Sequence, residues 1–234
     1  MNGDTLLTAQ GICKRFGRNA VLQEATFSVR EGEVLGLIGP NGAGKTTLFE
    51  CLAGLLATDA GEVRFRGGPL APAHRKRSLF YMPDSIRPWA DQPVGWALAF
   101  CEALHGRPRG EAVALAAALK LDPLLRATIG SLSKGECKRT LLAMGLLTPH
   151  PLLLLDEPFD GLDFRQTRDV IGLLRTQGRT LFLSIHQLTD AARVCDRLVL
   201  LSRGRVAGEG TLDELRAKAA LTEGGLEEVF LALT

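Results

Sequence analysis

The sequence lacks any pair of closely spaced cysteines. Its five cysteines are far apart in the chain: Cys13, Cys51, Cys101, Cys137 and Cys195. Zinc ribbons and thioredoxin-like redox sites need a CxxC pair, so the sequence excludes both classes. Scattered cysteines without a secretion signal are typical of a chain that stays in a reducing cytosol. We therefore predict a cytoplasmic protein.

Long apolar runs and an excess of one charge are missing as well. The longest uninterrupted apolar run, Ala112–Leu119, is far shorter than the roughly 18 residues that a transmembrane helix needs. Residues 1–10 contain no basic segment followed by an apolar one, so no signal peptide is predicted. Lys and Arg total 28 and Asp and Glu total 26, a net charge of +2. Because a protein that binds nucleic acid over a broad surface usually shows a larger basic excess, we predict that the chain binds no nucleic acid. Without a predicted membrane span, we expect the chain to be soluble.

The composition indicates a folded globular chain. The 234 residues are 46% hydrophobic and 23% charged, which rules out a disordered chain. At about 150 residues per domain, this length predicts one large domain or two small ones. Since the chain contains no internal repeat, no low-complexity tract and no Pro/Gly/Ser-rich linker, we expect a single domain over residues 1–234.

Three short runs are almost entirely apolar: 34–38, 152–155 and 181–185. Such strands are buried on both faces, as in a parallel sheet with helices on each side. Other runs with turn signals between them predict strands at 21–29, 62–65, 79–82, 197–201 and 205–208. Helices are predicted at about 45–56, 94–105, 111–120, 134–147, 165–176, 188–194, 211–219 and 225–233.

Between residues 84 and 148 the predicted structure is helical only. β-rich sequence precedes this stretch, and strand–helix units follow it. We therefore predict an α/β core made of residues 1–83 and 149–234, with a helical subdomain of residues 84–148 inserted into it.

A glycine-rich loop directly follows the first of the buried strands. The loop matches GxxxxGK[ST] and runs Gly39-Pro40-Asn41-Gly42-Ala43-Gly44-Lys45-Thr46. Its glycines let consecutive N–H groups face a phosphate, and the helix that begins at its end adds a favourable dipole. Lys45 is expected to contact the β- and γ-phosphates, and the Thr46 hydroxyl is expected to bind Mg²⁺. Thr47 completes the predicted loop site for ATP.

Two carboxylates follow the buried strand at 152–155. Asp156 at the strand tip is placed to hold Mg²⁺ through a water molecule. Glu157 can accept a proton from the water that attacks the γ-phosphate. By itself the pair could be an acidic strand end that caps a turn, but beside the phosphate loop it predicts ATP hydrolysis.

The motifs around this acidic strand resemble those of ABC-type ATPases. Residues 131–136, Ser-Leu-Ser-Lys-Gly-Glu, are similar to the LSGGQ signature, and residues 156–163 are similar to the extended Walker B motif and D-loop. His186 matches the family's switch histidine, and Phe16 matches the aromatic residue that stacks on adenine. The resemblance extends over nearly the whole chain, from about residue 6 to residue 215.

The resemblance implies an α/β P-loop ATPase core with a mostly parallel sheet, an N-terminal antiparallel β subdomain and an inserted helical subdomain. Ser133 and Gly135 would contact the γ-phosphate held by a second subunit, so that two chains, expected to be a homodimer, enclose two ATP molecules. Asp163 would contact the partner's phosphate loop, and His186 would bind the γ-phosphate and help to orient Glu157. Ser133 and Asp163 could instead be simple helix and turn caps.

Two positions depart from the family's pattern. Lys134 replaces the first glycine of the signature, which keeps the backbone N–H. Asp84 stands where a glutamine is usual, and its shorter side chain adds negative charge beside Asp156 and Glu157. Two interpretations stay open: Asp84 approaches Mg²⁺, directly or through a water, or the nucleotide-dependent switch is weaker in this chain.

Two further groups have more than one interpretation. Residues 74–77, His-Arg-Lys-Arg, are expected to be a solvated loop, with a contact to lipid headgroups as the alternative. Trp89 and Trp96, the only tryptophans, are expected in the core of the helical subdomain, or else in an anchor groove for a partner.

The resemblance implies the ATPase subunit of an ABC transporter. A chain without membrane spans would dock on a separate integral membrane permease, at the inner face of the cell membrane. The C-terminal residues 226–233 look like the tail of bacterial export-type members, so we expect export rather than import. The alternatives are a soluble ABC ATPase that acts without a permease and a nucleotide-binding scaffold with little hydrolysis.

Overall fold

Three fully buried strands lie side by side at the centre of a six-stranded sheet. They are β3 (Val34–Ile38), β7 (Leu152–Asp156) and β8 (Thr180–Ser184). In the computed structural model, which describes residues 4–234, β8 pairs in parallel with both β3 and β7. The predicted parallel sheet is therefore confirmed, and the carboxyl ends of these three strands share one edge.

The flanks of this sheet extend the parallel arrangement. β6 (Leu79–Met82) pairs in parallel with β7, and β9 (Arg197–Ser202) pairs in parallel with β3. One edge strand of this sheet, β10 (Arg205–Gly210), runs antiparallel to its neighbour, β9. The spatial order is β10-β9-β3-β8-β7-β6.

A second, antiparallel sheet is formed mainly by the N-terminal part of the chain. Its strands are β1 (Thr5–Phe16), β2 (Asn19–Arg30), β4 (Ala60–Phe65) and β5 (Gly68–Pro69), in the order β2-β1-β4-β5. The predicted strands do not include residues 5–16. The pairing of β1 with β2 shifts register several times and passes through Gly11, whose φ is +62°, so no clean alternation marks this strand in the sequence.

Nine helices connect and cover the strands in the described part of the chain. They are α1 (Lys45–Ala53), α2 (Pro72–Ser78), α3 (Val94–Leu104), α4 (Glu111–Ala118), α5 (Lys134–Leu146), α6 (Phe164–Thr176), α7 (Leu188–Val194), α8 (Leu212–Lys218) and α9 (Leu226–Leu233). All but α2 agree with the predicted helices to within a few residues. In residues 4–234 no helix combines the length and the apolar character that crossing a membrane requires.

Residues 84–148 contain α3, α4 and α5 together with two short 3₁₀ turns, at Asp122–Leu124 and Ile129–Ser131. Buried side chains such as Leu98, Leu115 and Leu142 join these helices to the hydrophobic cluster on one face of the large sheet. We propose that this stretch is the inserted subdomain, with residues 1–83 and 149–234 as the core. The first three residues of that core lie outside the described range.

The basic segment 74–77 is not a solvated loop. It belongs to α2, where Pro72 occupies the first turn, a position that suits proline. Arg75 is 3% exposed, and its guanidinium donates hydrogen bonds to the carbonyl oxygens of Leu70, at 3.2 Å, and Cys51. Lys76 and Arg77 are exposed. One turn of helix thus directs one cation inward and its neighbours outward, which the charge run alone does not reveal.

The two tryptophans are not part of the subdomain core. Trp89 is 43% and Trp96 is 44% exposed, and with Phe100 they form a surface cluster in which the Trp96 and Phe100 rings stack at 5.2 Å. The exposed side chains of Ile86 and Leu104 are also apolar. The core expectation was wrong because α3 is apolar on more than its inward face, which is lined by Val94, Ala97, Leu98 and Cys101.

Candidate functional site

The phosphate loop links β3 to α1. Gly42 and Gly44 have φ angles of +79° and +104°, which L-residues with a side chain rarely adopt. A Cβ atom on Gly39 would lie 2.4 Å from the carbonyl oxygen of Leu201, so glycine is required there for a different reason. Gly44 precedes α1, and no side chain in residues 4–234 caps the first turn of that helix. Its N–H groups are therefore available to an anion.

Lys45 folds back over this loop. Its ammonium donates hydrogen bonds to the carbonyl oxygens of Gly39, at 2.7 Å, and Pro40, at 3.1 Å. Burial lowers the pKa of Lys45, although the negative charges of Glu157 and Asp156 oppose this shift. The lysine is thus held by the loop, near the two carboxylates that the sequence predicted to act with it.

Thr46 and Asp156 are in direct contact. The Thr46 hydroxyl donates to Oδ2 of Asp156 at 2.9 Å, and the Ser184 hydroxyl donates to Oδ1 at 2.5 Å. Asp156 itself is fully buried at the end of β7. A hydroxyl and a carboxylate are oxygen ligands of the kind that Mg²⁺ prefers, so these two residues fit the predicted metal. Thr47, half-buried, follows in α1.

Glu157 and His186 form a pair at the same sheet edge. Oε1 of Glu157 lies 2.6 Å from Nε2 of His186. The main chain of Glu157 has φ +51°, a left-handed conformation, and its N–H donates to the Ser184 hydroxyl at 3.0 Å. Strained backbone of this kind is concentrated at functional sites. The structure thus brings the predicted base and the predicted histidine together.

Asp84 lies close to this pair but already has partners. Its Oδ1 is 2.7 Å from the ammonium of Lys138, and its Oδ2 accepts from the Ser85 hydroxyl at 2.7 Å. Partial burial raises the pKa of Asp84, but the Lys138 and Ser85 contacts outweigh it, so the pKa lies below its usual value. Carboxylate oxygens of Asp84, Glu157 and Asp160 lie within 4.8 Å of one another. Whether Asp84 approaches a metal stays a prediction.

The signature segment surrounds the start of α5. Ser133 accepts at its hydroxyl from the N–H of Glu136, and the Glu136 carboxylate accepts from the N–H of Ser133 at 2.8 Å, a capping box. A Cβ on Gly135 would lie 2.4 Å from the carbonyl oxygen of Gly161, so the helix start packs directly on the D-loop. Lys134 forms an exposed ion pair with Asp160 across this contact.

Asp163 also caps a helix. Its Oδ1 accepts from the N–H of Gln166 at 2.8 Å at the start of α6. Within residues 4–234, the hydrogen bonds of Ser133 and Asp163 are local, and none joins either residue to the phosphate loop. The structure therefore does not bring these two residues into the site around Lys45.

Phe16 ends β1 as a half-exposed ring, opposite Asn19 in the hairpin to β2. The ammonium of Lys14 lies 5.5 Å from the centre of this ring. The hairpin is close to the phosphate loop, since a Cβ on Gly44 would lie 3.0 Å from the carbonyl oxygen of Val21. Phe16 is thus an accessible aromatic surface near the loop, as a purine platform requires.

Sequence reasoning missed two residues that contact Asp156 or Glu157. Ser184 binds both Asp156 and the N–H of Glu157, and Lys138 donates to the carbonyl oxygen of Asp156 at 3.0 Å. Ser184 ends the neighbouring parallel strand two residues before His186, a position that could have indicated it. Lys138 gives no such signal because its contacts depend on how α5 packs.

A cleft of about 310 Å³ opens beside Glu157 and His186, bounded also by Phe164 and Gln187. No residue of the phosphate loop lines it, although that loop carries the features of a nucleotide site. The cleft therefore marks an open approach to the carboxylate–histidine pair rather than the predicted phosphate position.

The geometry agrees with the comparison with known families. The family model described as ABC transporter matches residues 22–160. This chain belongs to the ABC transporter family. The family domain is an ATPase, so the phosphate loop and the acidic strand end belong to an ATP-hydrolysing enzyme of this kind.

Curated relatives support the same assignment. An uncharacterized ABC transporter ATP-binding protein of Methanocaldococcus jannaschii is 33% identical over 93% of this ABC ATPase and 82% of its own length. Nod factor export ATP-binding protein I of Burkholderia orbicola is 36% identical over 84% of this chain and 68% of its own length. The chain also matches YbhF of Escherichia coli with 32% identity but spans only 42% of YbhF.

Solved structures confirm the fold. The ATP-binding subunit of an ABC transporter superposes with a TM-score of 0.88 at 29% identity, over 97% of this chain and 99% of that one. The α/β core with its mostly parallel sheet and additional antiparallel sheet is thus the fold of ABC ATPase subunits.

Ser184 provides a test of the site geometry. Ser184→Ala should lower the free energy of unfolding by about 1–3 kcal/mol, because buried Oδ1 of Asp156 loses its donor. It should also lower ATP turnover, because the N–H of Glu157 loses its acceptor. Urea unfolding and steady-state ATPase assays measure the two effects. Ser184→Thr keeps the hydroxyl, and Ser202→Ala, at the partly exposed end of β9, is the control. Unchanged stability and turnover in Ser184→Ala would contradict this geometry.

Proposed function

We propose that this ABC ATPase binds Mg-ATP, dimerises around two nucleotides and powers a separate membrane permease that exports its substrate. The observation that carries the proposal is the set of contacts at one sheet edge, where Thr46 meets Asp156 and Glu157 meets His186. A phosphate loop opens directly onto these groups. A nucleotide scaffold without hydrolysis would have no need of the paired base and histidine.

Each group has a role that its chemistry supports. The loop N–H groups and Lys45 bind the phosphates, and Phe16 stacks on the adenine. Thr46 and Asp156 hold Mg²⁺, which supplies charge neutralisation at the phosphates when it is bound. Glu157 accepts the proton of the attacking water. His186 orients the Glu157 carboxylate through their hydrogen bond and binds the γ-phosphate.

Dimerisation is supported by exposed groups whose hydrogen bonds are all local. Ser133 and Asp163 are exposed helix caps, and the Gly135–Gly161 contact fixes the signature segment against the D-loop. In the ABC family such caps serve a nucleotide held by a second subunit. We propose that Ser133, Gly135 and Asp163 act across a homodimer in this way.

The proposed permease places the chain at the cytoplasmic face of the membrane. Export is favoured because one relative is named an export ATP-binding protein. The exposed cluster of Trp89, Trp96 and Phe100 is the proposed docking surface, and its first residue lies only a few residues after Asp84. A short apolar helix of the permease fits such a surface, since exposed apolar clusters often mark interaction sites.

Replacing Glu157 tests the proposed hydrolysis. Glu157→Gln should keep Mg-ATP binding but lower kcat by about 10²-fold or more, because the general base is lost. Because ATP then persists, the variant should change from monomer to dimer when ATP is added, which sedimentation velocity measures. Glu227→Gln, on the exposed face of α9, is the control. Turnover at the wild-type rate without an ATP-dependent dimer would refute both roles.

Replacing the tryptophans tests the docking surface. In Trp89→Ala and in Trp96→Ala, ATP turnover of the isolated chain should stay near normal, and co-purification with the co-expressed permease in detergent should be lost, since buried tryptophan anchors often cost about 2 kcal/mol or more when truncated. Leu231→Ala, which removes an exposed apolar side chain from α9, is the control. A retained permease together with a lower melting temperature would place the docking surface elsewhere.

A further inference from the structure

Lys138 is a buried cation that has no part in the proposed binding and hydrolysis of ATP. Its side chain is 2% exposed, one turn into α5. The ammonium donates to the main-chain carbonyl oxygen of Asp156 at 3.0 Å and lies 2.7 Å from Oδ1 of Asp84. A buried ammonium is costly unless it is paired with a charge and hydrogen-bonded, and Asp84 is the carboxylate paired with it here.

The peptide unit between Asp156 and Glu157 is held from both sides. Its carbonyl oxygen accepts from Lys138, and its N–H donates to the Ser184 hydroxyl. Rotation of this peptide would change the φ of Glu157, which is +51°, and would therefore swing the Glu157 carboxylate away from His186. The two hydrogen bonds oppose that rotation and maintain a conformation that costs energy for a residue with a side chain.

Three elements converge on the Lys138 ammonium. Asp84 follows β6, Asp156 ends β7, and Lys138 belongs to the helix that starts at the signature residue Ser133. β6 and β7 are paired directly, with Met82 opposite Leu155. The carboxylate of Asp84 is thus brought to the ammonium by the register of the two strands.

We propose that Lys138, held by Asp84 as its counter-ion, is a positioning residue that fixes the Asp156–Glu157 peptide and thereby the Glu157 carboxylate. Asp84 then acts through Lys138 and does not bind Mg²⁺. The proposal rests on the proposed role of Glu157 as the general base. It accounts for an aspartate at position 84 because the charge of Lys138 demands an anion that a glutamine would not supply.

The first test compares kinetics of Asp84→Asn, Lys138→Met and the double variant in the full chain. Each single change should lower kcat about tenfold to hundredfold, because misplacing the general base costs that much in rate. KM for ATP and the Mg²⁺ concentration for half-maximal activity should stay within about twofold. The double variant should be no slower than Lys138→Met, since the two residues act as one unit. Asp84→Glu, which keeps the charge, should restore most of the rate.

Lys120→Met is the control, because it removes a lysine from an ion pair outside the site, the exposed pair with Asp169 at 2.6 Å. It should leave kcat unchanged. An increase in the Mg²⁺ requirement of Asp84→Asn would overturn the proposal and make Asp84 a metal ligand. Additive losses in the double variant would overturn it as well. If Lys138→Met does not fold, Asp84→Asn tests the proposal alone, by the same kcat and Mg²⁺ criteria. Asp84 is partly exposed, so this variant is expected to fold.

A second measurement separates this proposal from the proposed role of Glu157. Hydrogen exchange of the Glu157 amide in nucleotide-free protein reports how firmly the Asp156–Glu157 peptide is fixed, and it requires no ATP turnover. Protection of this amide should fall in Asp84→Asn and in Lys138→Met but not in Lys120→Met. Unchanged protection in both site variants overturns the positioning role. If protection is lost in Asp84→Asn and Lys138→Met but Glu157→Gln turns over ATP at the wild-type rate, the positioning role of Lys138 stands and Glu157 is refuted as the base.

Discussion

The parallel pairing of β3, β8 and β7 is the constraint on which the site depends. Parallel strands end at the same edge, so the residues that follow them meet: the phosphate loop after β3, Asp156 and Glu157 at the end of β7, and His186 after β8. A shift of one residue in this register would separate the Thr46 hydroxyl from the Asp156 carboxylate. The apolar core therefore sets the geometry of the polar site.

At that edge, buried charge is balanced by short contacts between protein groups. Asp156 has no exposed surface, and the hydroxyls of Thr46 and Ser184 satisfy its two oxygens. Lys45 and Lys138 are buried cations near the carboxylates, and each donates to a main-chain carbonyl oxygen. Leaving one such group unpaired costs more than the contact contributes, so the groups position one another. This preorganisation suits a site whose task is to place a water against a triphosphate.

Much of this arrangement could be predicted because it follows local patterns. Uniformly apolar runs gave β3 and β7, and the loop motif placed Lys45 and Thr46 beside the acidic strand end. What the sequence could not show depends on tertiary packing. The inward turn of Arg75, the exposed faces of Trp89 and Trp96 and the counter-ion of Lys138 all depend on which side of a helix meets the core. β1 was missed because bulges interrupt its alternation.

The central claim, that the loop after β3 binds the phosphates of ATP, is tested most directly by equilibrium titration of Lys45→Ala with Mg-ATP. Charge-assisted hydrogen bonds contribute about 1.5–3 kcal/mol, so Kd should rise about 10- to 100-fold. Circular dichroism and the unfolding midpoint establish that the variant is folded. Lys76→Ala, which removes an exposed lysine from α2, should keep the wild-type Kd. A folded Lys45→Ala variant that binds Mg-ATP as tightly as the wild type would contradict the account.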